Sequence, residues 1–189
     1  MKISNVKQMR QLDKTAIERF GIKDELLMEN AGGAAFQVLR ENFVINGTSF
    51  AVICGGGNNG GDGLVVARKI HSLGGLPHVV LLGDPQKFKG AAATNYKIAQ
   101  KIGFPLEKVE DAEVMTDILS ASDVVIDAIF GTGLEREVKG FYKQAIESVN
   151  NSTLPILAVD IPSGINGNNG QVMGVAVEAD FTVSFGLPK

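Results

Sequence analysis

The chain has 189 residues, of which 44% are hydrophobic and 21% charged, as in an ordinary globular domain. Lys and Arg number 18 against 21 Asp and Glu, which gives a net charge of -3, and no basic run indicates a nucleic-acid partner. No apolar run reaches the ~18 residues of a membrane span, and the polar N-terminus lacks the apolar segment of a signal peptide. We therefore expect one soluble, cytoplasmic domain over residues 1–189, with no nucleic-acid or membrane partner.

Two helices are predicted before the first strand. Apolar residues recur at helical spacing over Val6–Phe20, and Gly21 can end this helix in a left-handed conformation. A second helix follows, with Asp24 as its expected N-cap. Gly32 and Gly33 lie inside it, and each weakens a helix by about 1 kcal/mol relative to alanine. We expect close packing or the approach of a ligand at these two positions.

The rest of the chain alternates apolar runs with segments of helical period. The predicted strands are residues 50–53, 78–82, 124–129, 156–161 and 181–185, with a further short strand at 104–109. The predicted helices are residues 64–73, 88–102, 114–121 and 142–149. Strands that alternate with helices in this way build a parallel sheet with helices on both faces. We therefore predict an α/β fold, a three-layer αβα Rossmann-like sandwich with a mostly parallel central sheet.

The most glycine-rich stretch is CGGGNNGGDG, residues 54–63, between the first predicted strand and a helix. Such a dense glycine run predicts a tight turn pressed against a ligand. We expect the helix to begin near Gly61, so that its unpaired N–H groups and the positive end of its dipole point into the same space. This loop is predicted to bind a phosphate or another anion.

The same loop fits other nucleotide motifs poorly. Residues 55–60 satisfy G-x-G-x-x-G, and Asp84 ends the next strand as in an NAD-binding dehydrogenase, but glycine runs match this pattern easily. Asp62 also puts a carboxylate where a pyrophosphate needs donors, and no Lys-Ser or Lys-Thr follows to make a P-loop. An NAD-dependent oxidoreductase is disfavoured, because neither His71 nor His78 lies at a strand end and no Tyr-x-x-x-Lys pair occurs.

Two predicted strands contain an aspartate, Asp127 in residues 124–129 and Asp160 in residues 156–161. A buried carboxylate needs a partner, and ligands of open parallel sheets bind outside the carboxyl ends of the strands. We expect Asp62, Asp127 and Asp160 to converge there. Either strand aspartate could simply cap loop amides, but two at successive strand ends favour a ligand site. The oxygens of Asn59, Asp127 and Ser163 would suit a hard cation.

Five motifs follow one another along nearly the whole chain: LLMENAG (residues 26–32), CGGGNNGGDGLVVAR (54–68), DAIFGTGL (127–134), DIPSGING (160–167) and FTVSFGLPK (181–189). In this order they resemble the YjeF N-terminal domain, the family of NAD(P)H-hydrate epimerases. The resemblance implies interconversion of the R and S epimers of NADHX and NADPHX, the C6-hydrated forms of NADH and NADPH. This is a repair activity in nicotinamide nucleotide metabolism.

The resemblance also implies the site residues. A potassium ion would be bound by Asn59, Asp127 and Ser163. The substrate would be bound by two loops and one aspartate: Asn58, Asn59, Gly60, Gly61, Asp62, Gly131, Thr132, Gly133, Leu134, Glu135, Arg136, Glu137 and Asp160. We assign the acid and base role to Asp160, because it stands at a strand end and the cation is assigned to Asp127. Lys189 is the second candidate, as a charge that faces the pocket.

The resemblance carries three further expectations. Family members usually continue beyond the position of Lys189, so the domain of residues 1–189 could be truncated at its C-terminus. Some members carry a C-terminal kinase-like domain, so dehydration of the hydrate would here need a separate NAD(P)H-hydrate dehydratase. Family members are often dimers, which makes a homodimer a candidate assembly.

A non-catalytic nucleotide-binding or scaffold domain is the alternative function. The same fold occurs in eukaryotic proteins of messenger-RNA decapping and in a secreted apolipoprotein-binding relative. The presence of Asp62, Asp127, Asp160 and Ser163 together favours the enzyme, because a scaffold has no use for buried carboxylates at one site.

Overall fold

The centre of the structure is a six-stranded sheet in which every pairing is parallel. The computed structural model describes residues 4–187. Its strands are β1 (Ser49–Cys54), β2 (Leu76–Leu81), β3 (Leu106–Lys108), β4 (Val124–Ala128), β5 (Ile156–Val159) and β6 (Phe181–Val183). Their order is β3-β2-β1-β4-β5-β6, so the order reverses between β1 and β4. This doubly wound arrangement confirms the predicted Rossmann-like fold.

Helices cover both faces of the sheet. Within residues 4–187 they are α1 (Val6–Phe20), α2 (Asp24–Asn42), α3 (Asn58–Ser72), α4 (Gly90–Ile102), α5 (Ala112–Ser120) and α6 (Phe141–Asn151), with a short 3-10 helix at Pro85–Lys87. Helices α2, α3 and α4 pack on one face against Phe50, Val52 and Cys54. Helices α5 and α6 pack on the other face against Ala51 and Ile53. Because both faces are buried, the strands appear in the sequence as continuous apolar runs.

The first two helices begin and end close to the predicted residues. Gly21 ends α1 with φ 68, as predicted. The prediction that Asp24 is the N-cap of α2 is wrong, because Lys23 holds that position and Asp24 is the first helical residue. Asp24 Oδ2 instead accepts a hydrogen bond from Ala91 N at 3.1 Å, in the first turn of α4. The carboxylate therefore stabilises the N-terminus of a different helix.

Helix α3 begins at Asn58, three residues before the predicted start near Gly61. Gly57 is the N-cap, and Gly61 N already donates to Gly57 O at 3.2 Å. The glycines of this segment lower helix propensity, but tertiary packing overrides that preference.

Small residues bring α2 and α3 into close contact. A Cβ on Gly32 would lie 2.5 Å from the Cβ of Val65, and one on Gly61 would lie 2.7 Å from Sδ of Met28. A side chain at Gly32 would displace α3, whereas one at Gly61 would have to displace the end of the Met28 side chain and Ala92 of α4. The close packing predicted at Gly32 is therefore confirmed.

Other sequence predictions have mixed outcomes. The short strand predicted within residues 104–109 is present as β3. No helix within residues 4–187 is long and apolar enough to cross a membrane. Lys189, the second candidate for the acid and base role, lies outside the described residues. The assignment of residues 1–189 to a single domain stays a prediction.

Candidate active site

A cleft with a volume of about 1210 Å³ opens at the carboxyl ends of the central strands. Its floor consists of residues that follow β1, β4, β5 and β6, and residues of α1 and α2 line it as well. The cleft thus lies at the switch point between β1 and β4, where ligands of doubly wound sheets bind.

Most of the predicted site residues line this cleft. They are Asn58, Asn59, Asp62, Gly131, Thr132, Gly133, Leu134, Glu135, Arg136 and Asp160. Gly60, Gly61 and Glu137 are not among the lining residues. A Cβ on Gly60 would lie 2.0 Å from Gly55 O, and Gly61 faces α2. Glu137 Oε2 contacts Lys139 Nζ at 2.9 Å on the exposed side of its loop.

The glycine run serves packing more than ligand approach, which corrects the sequence interpretation. None of the glycines in residues 55–63, all described, has a positive φ. A Cβ on Gly55 would lie 2.0 Å from Ile129 O, so this glycine lets β1 and the loop after β4 approach each other. Only Gly56 and Gly57 have open space beside them, and these two line the cleft. Of the glycines that were predicted to press against a ligand, only Gly56 and Gly57 are therefore placed to do so.

The N-terminus of α3 has the features of an anion site. Its N-cap is Gly57, which has no side chain to cap the first turn. Gly57, Asn58 and Asn59 line the cleft. The N–H groups of a first turn have no partner within the helix, and the helix dipole adds positive potential there. A phosphate group in the cleft would be stabilised at this position.

The Asn59 side chain has no hydrogen-bond partner among residues 4–187. The residue is 8% exposed, and both its Oδ1 and its Nδ2 are buried without a partner. A Cβ on Gly131 would lie 3.4 Å from Asn59 Oδ1 and 2.9 Å from Asp160 Oδ2, so the two side chains flank Gly131. Unpaired buried amides are costly, and one that borders a cleft points to a ligand.

Asp127 lies beneath the cleft, fully buried, and both of its carboxylate oxygens accept hydrogen bonds. Ser163 Oγ donates to its Oδ1 at 2.5 Å, Ser163 N donates to its Oδ2 at 2.8 Å, and Ile129 N donates to its Oδ1 at 3.2 Å. Burial raises the pKa of Asp127 to about 6, although the hydrogen bonds from Ser163 and Ile129 act in the opposite direction. The carboxylate thereby joins the loop after β4 to the loop after β5.

Ser163 extends this connection. Its Oγ accepts a hydrogen bond from Phe130 N at 2.8 Å, and the residue is fully buried. Neither Ser163 nor Asp127 lines the cleft, in contrast to Asn59. Carboxylate, hydroxyl and amide oxygens are the donors that a hard cation prefers, and each carboxylate oxygen can accept two bonds. Within residues 4–187, no group of three His, Cys, Asp or Glu side chains could hold a metal ion.

Asp160 lies in the cleft wall directly after β5. Its φ of 73 is in the left-handed region, which costs energy for a residue with a Cβ and is typical of functional sites. Asp160 N donates to Val183 O at 2.9 Å, and Asp160 Oδ2 accepts from Thr132 N at 3.1 Å. The residue is 9% exposed, and these hydrogen bonds to β6 and to the loop after β4 hold it in place.

Two parts of the cleft were not predicted from the sequence. Helices α1 and α2 supply lining residues such as Arg10, Met28 and Ala31, and α6 supplies Tyr142. The rings of Tyr142 and Phe130 pack with their centroids 5.0 Å apart. Of the two glycines within α2, Gly32 was the signal for the role of this helix, because it allows α2 to approach α3.

A doubly wound parallel sheet, a cleft at its switch point and an open helix N-terminus define a nucleotide-binding domain of the Rossmann-like class. The chain belongs to the family described as YjeF-related protein N-terminus, whose sequence profile matches residues 24–189.

Two enzymes and one solved structure resemble the chain over its full length. It is 47% identical to the bifunctional NAD(P)H-hydrate repair enzyme Nnr of Thermofilum pendens, of which it covers 36%. It is 38% identical to the NAD(P)H-hydrate epimerase of Limosilactobacillus reuteri, of which it covers 86%. The crystal structure of yeast ynu0 superposes with a TM-score of 0.88 at 25% identity, covering 100% of this chain and 82% of the yeast chain.

Proposed function

We propose that the protein is an NAD(P)H-hydrate epimerase that interconverts the R and S forms of NADHX and NADPHX. One observation carries the proposal: Asp160 and the unpartnered amide of Asn59 flank Gly131 in the cleft. This juxtaposition puts a carboxyl group and a vacant hydrogen-bonding group beside the open N-terminus of α3. The names of the relatives that match over the full chain support the same reaction.

The cleft offers separate places for the parts of such a substrate. The diphosphate would lie at the N-terminus of α3, where Gly57, Asn58 and Asn59 border the cleft. The hydrated ring would lie beside Asp160, within the wall formed by the loop that contains Gly131. The other predicted substrate contacts that line the cleft, Thr132 to Arg136, remain part of this proposal, whereas Glu137 lies outside the cleft.

Asp160 would act first as an acid and then as a base. In its acid form the carboxyl group protonates the C6 hydroxyl, the C–O bond breaks with its electron pair leaving in a water molecule, and the ring nitrogen forms an iminium bond to C6. Water then adds to the opposite face of C6 and returns a proton to the carboxylate. Atoms and charges balance, and the configuration at C6 is inverted. The hydrogen bond from Thr132 N fixes the carboxyl group for both steps.

The residues present fit a potassium ion. Asn59 Oδ1 is buried without a partner, and the described hydrogen bonds to Asp127 Oδ2 leave it one accepting position. With Ser163 Oγ these atoms would form the oxygen donor set of the ion. A bound potassium ion would supply positive charge that offsets the buried carboxylate and an anionic substrate.

The proposal extends to partners. The relative from Thermofilum pendens is named a bifunctional repair enzyme, and this chain covers 36% of it. We expect an NAD(P)H-hydrate dehydratase to act on the product. A homodimer stays a prediction.

The proposed function is tested with one purified epimer of NADHX, whose R to S ratio is followed by chromatography in potassium buffer and in a buffer with a bulky organic cation. We expect the protein to accelerate equilibration, and the Asp160→Asn variant to bind the hydrate without accelerating it. A wild-type rate no faster than the spontaneous one would refute the epimerase and favour the scaffold. Near-normal turnover in the variant would refute only the role of Asp160 and leave the epimerase activity standing.

A further inference from the structure

The chain has two tyrosines and no tryptophan, and the surroundings of the two tyrosines differ. Tyr96 lies on α4 outside the cleft, where its ring packs against Phe88 with centroids 5.7 Å apart. Its hydroxyl accepts a hydrogen bond from Gln100 Nε2 at 3.0 Å. Tyr142 packs against Phe130 with centroids 5.0 Å apart, and both of these rings line the cleft. Of the two aromatic pairs, the second is therefore the one that can contact a ligand in the cleft.

The hydroxyl of Tyr142 is available to such a ligand. It makes no hydrogen bond to another residue within residues 4–187. Burial raises the pKa of this hydroxyl, although the charge of Arg136 acts in the opposite direction, so the group stays protonated at neutral pH. A protonated phenol can donate a hydrogen bond. Tyr142 thus offers the cleft an aromatic surface and a donor.

Three printed contacts place the Tyr142 side chain above the ends of the central strands. Its ring packs against Phe130, two residues after β4. A Cβ on Gly83, two residues after β2, would lie 3.3 Å from the Tyr142 hydroxyl oxygen and 3.3 Å from the backbone of Gly56. Gly56 and Gly57 themselves have open space beside them and line the cleft. The side chain therefore extends from the loop after β4 toward β2, beside the N-terminus of α3.

The proposed reaction centre lies on the other side of that N-terminus. Asp160 follows β5, and three strand spacings, about 14 Å, separate β5 from β2. The two rings of a dinucleotide are separated by two riboses and a diphosphate, which can bridge such a distance. In doubly wound folds the diphosphate lies at the first helix N-terminus and the adenosine over the half that contains β2. If the hydrated ring lies beside Asp160, the adenine therefore reaches Tyr142.

We propose that Tyr142 binds the adenine of the hydrate, with its ring packed against the base and its hydroxyl donating to a ring nitrogen. Adenine has ring nitrogens that accept hydrogen bonds, and its flat face suits an aromatic side chain. The inference rests on the proposed function for the identity of the dinucleotide, and on the contacts of Tyr142 for the residue. An aromatic contact of this kind raises the affinity of a base by about tenfold.

The first test isolates the contribution of the base. Calorimetry compares ADP with ribose 5-diphosphate, which has the same diphosphate and lacks the adenine. We expect the wild type to bind ADP about tenfold more tightly, Tyr142→Leu to lose that preference, and Tyr142→Phe to keep most of it because the ring remains. Tyr96→Leu removes the tyrosine outside the cleft and should bind both ligands as the wild type does. A wild type that binds ADP no better than ribose 5-diphosphate would overturn the proposal.

The second test uses the fluorescence of Tyr142. In a Tyr96→Phe variant Tyr142 is the single tyrosine, and the absence of tryptophan leaves its emission unobscured. We expect ADP to quench this emission and ribose 5-diphosphate to leave it unchanged. Quenching by nicotinamide mononucleotide and not by ADP would put the hydrated ring at Tyr142, and the proposal would fail.

Kinetics separates this inference from the proposed function. Tyr142→Leu should raise KM for NADHX about tenfold and lower kcat far less than Asp160→Asn does. A protein that shows the ADP preference and the quenching, yet epimerises neither hydrate, would refute the proposed function and retain the role of Tyr142. An active epimerase whose KM is unaffected by Tyr142→Leu would retain the function and overturn that role.

Discussion

Asp127 lies near the end of β4 and Asp160 directly follows the neighbouring strand β5, and the two residues occupy very different environments. Asp127 is fully buried, and three described hydrogen bonds from Ser163 and Ile129 hold its carboxylate. Asp160 lines the cleft in a left-handed conformation, beside the unpartnered amide of Asn59. The same residue type at the same edge can therefore join two loops in one case and face the cleft in the other. Position in the sheet alone does not distinguish the two roles.

The largest expected effect is on the rate of epimerisation in Asp160→Asn. Loss of a general acid and base lowers rates by about 10²–10⁴-fold, and the amide oxygen can still accept the hydrogen bond from Thr132 N. We expect a fall of at least about 10²-fold in kcat, with the midpoint of thermal unfolding nearly unchanged. A variant that loses activity because it unfolds would place Asp160 with Asp127, as a residue needed for structure.

Asp127→Ala should give the opposite result, a large loss of stability. The substitution leaves Ser163 N and Ile129 N buried without an acceptor, and each such group costs about 1–3 kcal/mol. We expect the free energy of unfolding in urea to fall by about 3 kcal/mol. Ser163→Ala is the matched comparison and should cost about 1 kcal/mol, since it removes a hydroxyl and keeps the carboxylate. Equal stability of Asp127→Ala and wild type would contradict the structural role.

Both outcomes bear on how far the sequence determines the site. The apolar runs predicted the strands, because a parallel sheet buried on both faces appears in the sequence as short continuous apolar runs. Convergence of Asp62 and Asp160 on one cleft followed from the topology. The sequence grouped Asp127 with Ser163, which lies 36 residues away, as ligands of one cation, but it could not predict that Ser163 donates directly to the carboxylate.

The glycines show the same limit. A glycine required for positive φ, one required for packing and one that borders a ligand look identical in a sequence. At Gly55 the deciding neighbour is Ile129 O, on another loop. Likewise, Asp24 caps α4 from 67 residues away, where local spacing predicts a cap of its own helix. Contacts between distant segments decide these cases.

Asn59 allows a test in which one substitution should raise the stability of the protein and abolish its activity. Its buried amide has no partner, so Asn59→Leu replaces an unsatisfied polar group by an apolar one of similar size. We expect the free energy of unfolding, measured in urea without potassium or substrate, to rise by about 1 kcal/mol, while epimerisation is lost. Lower stability in the variant would mean that the amide is already satisfied, and the assignment of a ligand to Asn59 would fail.

The smallest effect concerns Glu29, a carboxylate held by cations. Lys69 Nζ lies 2.7 Å from its Oε1, and Arg68 donates to its Oε2, which fixes α2 against α3 beside the cleft. Burial raises the pKa of Glu29, but the hydrogen bonds and charges of Lys69 and Arg68 outweigh it and lower the pKa below its ordinary value of 4.5. The stabilisation is therefore present above pH 4.5 and is lost as the pH falls through the lowered folded-state value.

Glu29→Gln should cost about 1 kcal/mol at pH 7, a modest value because solvent screens a side chain that is 40% exposed. The difference from wild type should shrink as unfolding is measured at progressively lower pH below 4.5. Glu41→Gln, on the same helix but hydrogen-bonded to Gln37 alone among the described contacts, should show neither effect. A Glu29→Gln cost independent of pH would mean that packing, and not the ion pairs, holds α2 at the cleft. In that case Glu29 would differ from Asp127, whose polar contacts hold two segments of the chain together.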